Sequence, residues 1–209
     1  TIQLADGTSA SGLSATIAPV GGNVVLNGNA ATPGNVIVFT TAADAIAVKG
    51  CPANVTVPNL EVRTVTSGCG LLAAGQGAVI SFGPGLRFGA CADGHIRAQF
   101  GGYISNPAFN YSIVGASAYH MQSVGGIIAI GSSPNTIAVT CSGTLAFGTF
   151  AAANSIGQIT RWATTYSGGT VTGTRYSADT NPLIQTYGGG ANVFPGSIAG
   201  TTVTGGLYV

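Results

Sequence analysis

Charge is what this chain lacks most. Only 5% of its 209 residues are Asp, Glu, Lys or Arg, against about 25% in ordinary soluble proteins. The six basic residues are scattered singly, with no basic cluster and no RGG- or RNP-like string. Nothing is present to neutralise a run of phosphates, so nucleic acid is excluded as a partner. A basic membrane-surface helix is absent as well. Long apolar runs are also missing. Gly, Ser, Thr or Asn breaks each one well before the roughly 18 residues of a membrane span, and the most apolar piece, residues 124–130, is strand-sized.

The supply of catalytic groups is equally thin, with five acids and two histidines. Glu61 is the only Glu, while Asp6, Asp44, Asp93 and Asp179 sit in turn-like contexts. Two acids facing each other across a cleft are therefore not expected. No GxSxG elbow is present for a nucleophile. Asp93-Gly94-His95 is the one place where an acid stands beside a His; it is read as a turn opening a strand, not as an acid–base pair. His120, between Tyr119 and Met121, is read as a structural histidine. The glycine doublets lack the Lys and the following helix of a phosphate loop. No catalytic residue, cofactor site or metal site is expected, and none of the cysteines forms a CxxC pair.

What the chain has in quantity is Gly, 34 residues, within a sequence that is 45% hydrophobic. Its mean hydropathy is positive. Disordered chains have the opposite composition. With so little charge, the surface has to be made of Ser, Thr, Asn, Gly and apolar groups. At a net charge of +1 such a surface favours association. The expected partners are copies of itself, as a trimer or a polymer, or a larger body.

Short runs of Val, Ile, Thr and Tyr alternate with turn signals every 8 to 12 residues. Residues 157–209 show this most plainly, with Gly168-Gly169, Asp179-Thr180-Asn181-Pro182 and Phe194-Pro195-Gly196 as punctuation. Residues 36–40 read as a buried strand. Residues 95–103 read as a two-faced strand with Ile96, Ala98 and Phe100 on one side and Arg97 and Gln99 on the other. Asn27-Gly28 reads as a hairpin turn. Only residues 42–49 look helical, and they are few. No repeat of fixed period stands out, which weighs against a solenoid. The expected fold is all-β, an antiparallel sandwich or jelly roll. Residues 1–14 form an extended N-terminal arm, and residues 15–209 form one domain with a possible sub-boundary near 151–155.

The four cysteines, Cys51, Cys69, Cys91 and Cys141, allow disulfides, with Cys51–Cys69 and Cys91–Cys141 the preferred pairing, or four buried free thiols. Asn54 and Asn110 match the glycosylation pattern. Arg161 and Arg175 flank Trp162 and Tyr176, where strand-end pairing is favoured over a cation–π contact. Two histories fit a start at Thr1 without Met: removal of the initiator, or cleavage of a leader.

The segment Phe194-Pro-Gly-Ser-Ile-Ala-Gly-Thr-Thr-Val-Thr-Gly-Gly-Leu-Tyr-Val209 resembles the ends of small structural proteins on tailed-bacteriophage virions, such as head-decoration or cement proteins and head fibres. The start Thr1-Ile-Gln-Leu-Ala-Asp-Gly suits such a protein after loss of Met. The resemblance implies a β subunit that binds a capsid protein lattice, often as a trimer, and it carries over no functional residue. The first expectation is thus a non-enzymatic virion decoration or stabilising protein. The alternative is a secreted filament or pilus subunit at the cell surface. There an arm including Thr1, Ile2, Gln3, Leu4 and Leu13 would enter a neighbour's sheet. A carbohydrate-binding module is the third reading, with one Trp as its scant aromatic supply.

Overall fold

The computed structural model describes residues 1–9 and 22–209. Among them the chain forms short β-strands and one 3₁₀ turn, Pro33–Asn35, and no α-helix. Residues 42–49 hold the strand Ile46–Lys49 instead of a helix. Strands pair in parallel and fall into three sheets. Face A has nine strands, from Ile2–Gln3 through Asn23–Asn27, Asn54–Val57, Val79–Phe82, Tyr103–Asn106, Ile127–Ile130, Gln158–Arg161 and Leu183–Gln185 to Leu207–Tyr208. Face B has seven, from Gly7–Ser9 to Thr164–Ser167, and face C has seven, from Ile46–Lys49 to Thr201–Val203. The chain visits A, B and C in turn and returns to A one strand further along, making a β-solenoid of about 8 turns.

This overturns the expected antiparallel sandwich or jelly roll, and with it the reading that no repeat exists. The repeat is the register of face A, in which Asn54, Val79, Tyr103, Ile127, Gln158, Leu183 and Leu207 follow one another. Successive steps are 24 or 25 residues, except the longer one from Ile127 to Gln158. Asn27-Gly28, expected to turn a hairpin, turns a corner: the Gly28 N–H donates to the Pro58 carbonyl one rung on, at 3.1 Å.

The corner from face C to face A shows why the rungs stack. Gly50, Gly75, Phe100, Gly125, Ser155, Thr180 and Thr204 occupy equivalent positions, all with left-handed φ between 49° and 94°. The N–H groups of Gly50, Gly75, Phe100, Gly125 and Ser155 continue the ladder onto the next rung, as from Gly75 to the Gln99 carbonyl at 3.1 Å and from Phe100 to that of Val124 at 3.0 Å. Just beyond the bend the chain presses on the preceding rung. A Cβ at Gly102 would lie 2.2 Å from the Ala73 oxygen, and one at Gly157 2.5 Å from the Ser123 oxygen. Phe100, expected on the apolar side of a strand, falls on this bend and is 69% exposed.

Inward residues alternate with outward ones along each strand. Ile80, Ile104, Ile128, Ile159 and Ile184 stack in register beneath face A and are fully buried. Each contributes about 2 kcal/mol of apolar burial, and β-branched side chains suit this pleated packing. Aromatic rings fill the space between faces B and C. Phe194 enters the core from the last turn, its ring 6.1 Å from Phe150 and 6.4 Å from both Tyr166 and Tyr208. Phe194 of the Phe194-Pro195-Gly196 motif thus fills the core where, among the described residues, no face B strand follows Thr164–Ser167.

Candidate functional site

The outer surface of face A is built from alternate residues of its strands. One row in register comprises Val79, Tyr103, Ile127, Gln158, Leu183 and Leu207. Tyr103 is 36% exposed, Ile127 40% and Leu207 57%. Two residues along runs a small polar row of Thr56, Ser81, Ser105, Ala129, Thr160 and Gln185. The Ser81 hydroxyl donates to Asn54 Oδ1 at 3.1 Å and lies 3.4 Å from Ser105 Oγ. Phe100 and Ile156, the latter 77% exposed, project from the adjoining corner.

Face A carries no charge on this outer surface. Arg161 is the only charged residue in its nine strands, and it is buried. Charges gather on the other two faces. On face B, Glu61 is buried between Arg63, Nε to Oε1 2.5 Å, and Arg87, Nε to Oε2 3.1 Å. Near face C, Asp44 accepts from the Cys69 N–H at 2.9 Å and pairs with Lys49 at 2.7 Å, while Asp93 accepts from the Gly68 N–H at 2.8 Å. These carboxylates hold backbone corners in place.

Both histidines are in the core, away from this surface. Asp93-Gly94-His95, expected as a turn, lies inside the strand Cys91–Gln99, and His95 is fully buried. His120 from the next rung sets its Nδ1 3.0 Å from His95 Nδ1 and its Nε2 2.9 Å from Tyr111 Oη. Phe88, Phe147 and Phe150 enclose the pair. Burial pushes the His95 imidazole down to about 3, opposed by the carbonyls of Gly89 and Ala116. Burial, with His95 adding to it, holds His120 well below the usual range. Two neutral rings sharing a proton inside an aromatic shell specify packing and have no route to a solvent-borne substrate. Sequence reading found His95 and His120 separately; the 25-residue register that joins them was the signal it missed.

The remaining expected residues are placed as follows. Cys51, Cys69, Cys91 and Cys141 are free thiols, so the preferred disulfide pairing is not formed. Burial pushes Cys69 and Cys91 up to about 12. Asn54 is half-buried and bonded to Ser81; Asn110 is exposed, and its Oδ1 accepts from the Ala138 N–H at 2.8 Å. Ile2 and Gln3 pair in parallel with Leu26 and Asn27, and the Leu4 N–H donates to the Asn27 carbonyl at 2.8 Å, all beside the exposed Thr1. Leu13 lies outside the described residues. Residues 151–155 continue the long strand Thr144–Asn154 into a corner. Trp162 and Tyr176 take Tyr187 and Tyr208 as ring partners, at 4.6 and 3.7 Å between centroids, rather than the neighbouring arginines.

No family model, curated protein or solved structure matches the chain. Among the described residues, no group of three or more His, Cys, Asp or Glu could hold a metal ion. No helix there is long and apolar enough to cross a membrane. The functional reading therefore rests on the surfaces, and face A is the most distinctive of them.

Proposed function

We propose that this chain is a non-enzymatic structural module of a large particle, packed through face A against copies of itself. The observation that carries the reading is the uncharged outer surface of face A. Nine strands at about 4.8 Å make it roughly 38 Å long. A surface of that length lined with Tyr103, Ile127 and Leu207 is an interface composition, rich in aromatic and aliphatic groups and depleted of charge. The C-terminal resemblance supports a virion as the particle, with a rod-like fibre or decoration in place of a sandwich. The donor-strand alternative has less support than the virion reading, because Ile2–Gln3 pairs in parallel with Leu26–Asn27 of its own chain.

The test places charge on face A. Tyr103 and Ile127 are register partners and both point outward, so Tyr103→Glu with Ile127→Lys leaves the core intact and pairs the new charges with each other. The wild-type chain is expected to sediment as an oligomer at about 10 μM. The double variant should sediment as a folded monomer, its self-affinity down by about 100-fold. A wild-type chain that stays monomeric at about 1 mM overturns the proposal. So does electron microscopy of the native source that finds the chain on no particle.

A further inference from the structure

At the corner between faces A and B, three successive turns meet around a depression of about 320 Å³, lined by Gly131, Ser132, Ser133, Thr160, Trp162 and Tyr187. That volume lies at the lower end of small-ligand sites. We propose that this depression binds a neutral saccharide, with Trp162 and Tyr187 as the stacking wall and Ser133 and Thr160 as hydrogen-bonding groups.

The aromatic wall is built, not incidental. Trp162 and Tyr187 pack edge to face, with centroids 4.6 Å apart and planes at 66°. Tyr187 nevertheless remains 54% exposed. It is held outward by a left-handed backbone, φ 52°, unusual for a bulky residue. Its preceding neighbour Thr186 is buried and anchored, its hydroxyl donating to the Val209 carbonyl at 2.9 Å. Trp162 is anchored as firmly, its N–H donating to the Ile130 carbonyl at 2.7 Å. Glycine at 131 is what lets the two turns approach there, because a Cβ would lie 2.3 Å from the Trp162 oxygen.

The polar groups around this wall are unspent. Ser132 Oγ donates to the Pro107 carbonyl at 2.8 Å. Ser133 Oγ, Thr160 Oγ1, Trp162 Nε1 and Tyr187 Oη make no hydrogen bond to any described residue. No charged residue lines the depression, which disfavours phosphates, nucleotides and acidic sugars. A ligand matched to it has one apolar face, a rim of hydroxyls and no net charge. A pyranose ring fits that description, its axial C–H groups meeting the π face and its equatorial hydroxyls meeting the rim.

Trp162 is the only tryptophan in the chain, so its fluorescence reports on this site alone. The intact chain is titrated with maltotetraose, cellotetraose and chitotetraose. At least one should give a saturable emission change with a Kd between about 10 μM and 1 mM. Tyr187→Ala should weaken that binding at least about tenfold. Ser133→Ala with Thr160→Val should weaken it while leaving the fluorescence maximum of the free protein unchanged. Both variants lie outside the core and should keep the wild-type melting temperature, and Tyr187→Ala should also keep the wild-type oligomeric state. No saturable change with any of the three probes overturns the proposal. So does an unaltered affinity in Tyr187→Ala, or an emission change that follows protein concentration instead of sugar, which would make the depression a contact between copies.

Discussion

The buried histidine pair is where single residues decide most. Nδ1 of His95 and Nδ1 of His120 are 3.0 Å apart, so one ring must donate and the other accept, and the accepting nitrogen cannot be protonated without breaking the bond. Both imidazoles are held below their ordinary pKa by burial. In the unfolded chain they titrate near 6.5. Between that value and the folded pKa, about 3 for His95, the unfolded state binds more protons. Stability is therefore fully present above about pH 6.5 and is lost as pH falls. With two protons in play the slope approaches twice that of a single titrating group. Urea unfolding at pH 7 and pH 5 should differ by on the order of 3 kcal/mol for the wild type. His95→Phe with His120→Phe should remove most of that difference, and an equal pH dependence in the variant would refute the assignment. Single replacement of His120 by Phe is expected to be worse at pH 7, costing about 2–4 kcal/mol, because it strands His95 Nδ1 and takes one hydrogen bond from Tyr111 Oη.

At the level of the element, strands and corners obey different rules, and only the strands were legible. The alternation of Ile96 and Ala98 with Arg97 and Gln99 placed the first two inside, where they are fully buried. Turn signals marked many of the chain's bends but failed at Asp93-Gly94, which lies inside a strand, and a Gly or Asn bend reads the same whether it reverses a hairpin or turns a solenoid corner. Parallel pairing between strands three apart leaves no local mark. The longer loop after Ile127 also shifts the register, so a strict period fails. A trace was present in the doublets Gly101-Gly102, Gly125-Gly126 and Gly205-Gly206, whose second members press on the rung before. Gly102 and Gly125 separate the two demands of a corner. At Gly102 a Cβ would sit 2.2 Å from backbone, whereas at Gly125, φ 62°, the nearest atom would be 3.4 Å away. Gly102→Ala should therefore cost about 2–4 kcal/mol in chemical denaturation. Gly125→Asn should cost under about 1 kcal/mol, since Asn tolerates left-handed φ and Phe100 and Ser155 already occupy the equivalent positions. Equal losses at the two glycines would contradict the division of roles.

For the whole molecule, the low charge predicted association, but where the charges lie could not be read without the register that sends them to faces B and C. The same register makes the chain divisible. In a solenoid each turn touches mainly its neighbours, so a turn can be removed if the cut falls at equivalent positions. Residues 54–78 form such a turn: Asn54 pairs with Val79, and Ala53 and Ala78, both buried, precede them. Their removal sets Ala53 in the place of Ala78 and brings Ile46 over Ile96 on face C and Val38 over Phe88 on face B, apolar against apolar. Glu61 and Arg63 leave together, and Arg87, a third exposed, loses its partner near solvent. The shortened chain should fold with the same parallel-β circular dichroism and unfold cooperatively, with a lower denaturant slope because less surface is exposed on unfolding. Removing only residues 54–66 should leave the chain unfolded, since it delivers face C sequence to face A positions and turns inward side chains out. An unfolded full-turn deletion beside a folded half-turn deletion would mean that the stability is not carried rung by rung. Because face A loses one of its nine strands while its charge-free surface stays continuous, the full-turn deletion should also retain self-association, which ties the proposed interface to the repeat itself and not to any one residue on it.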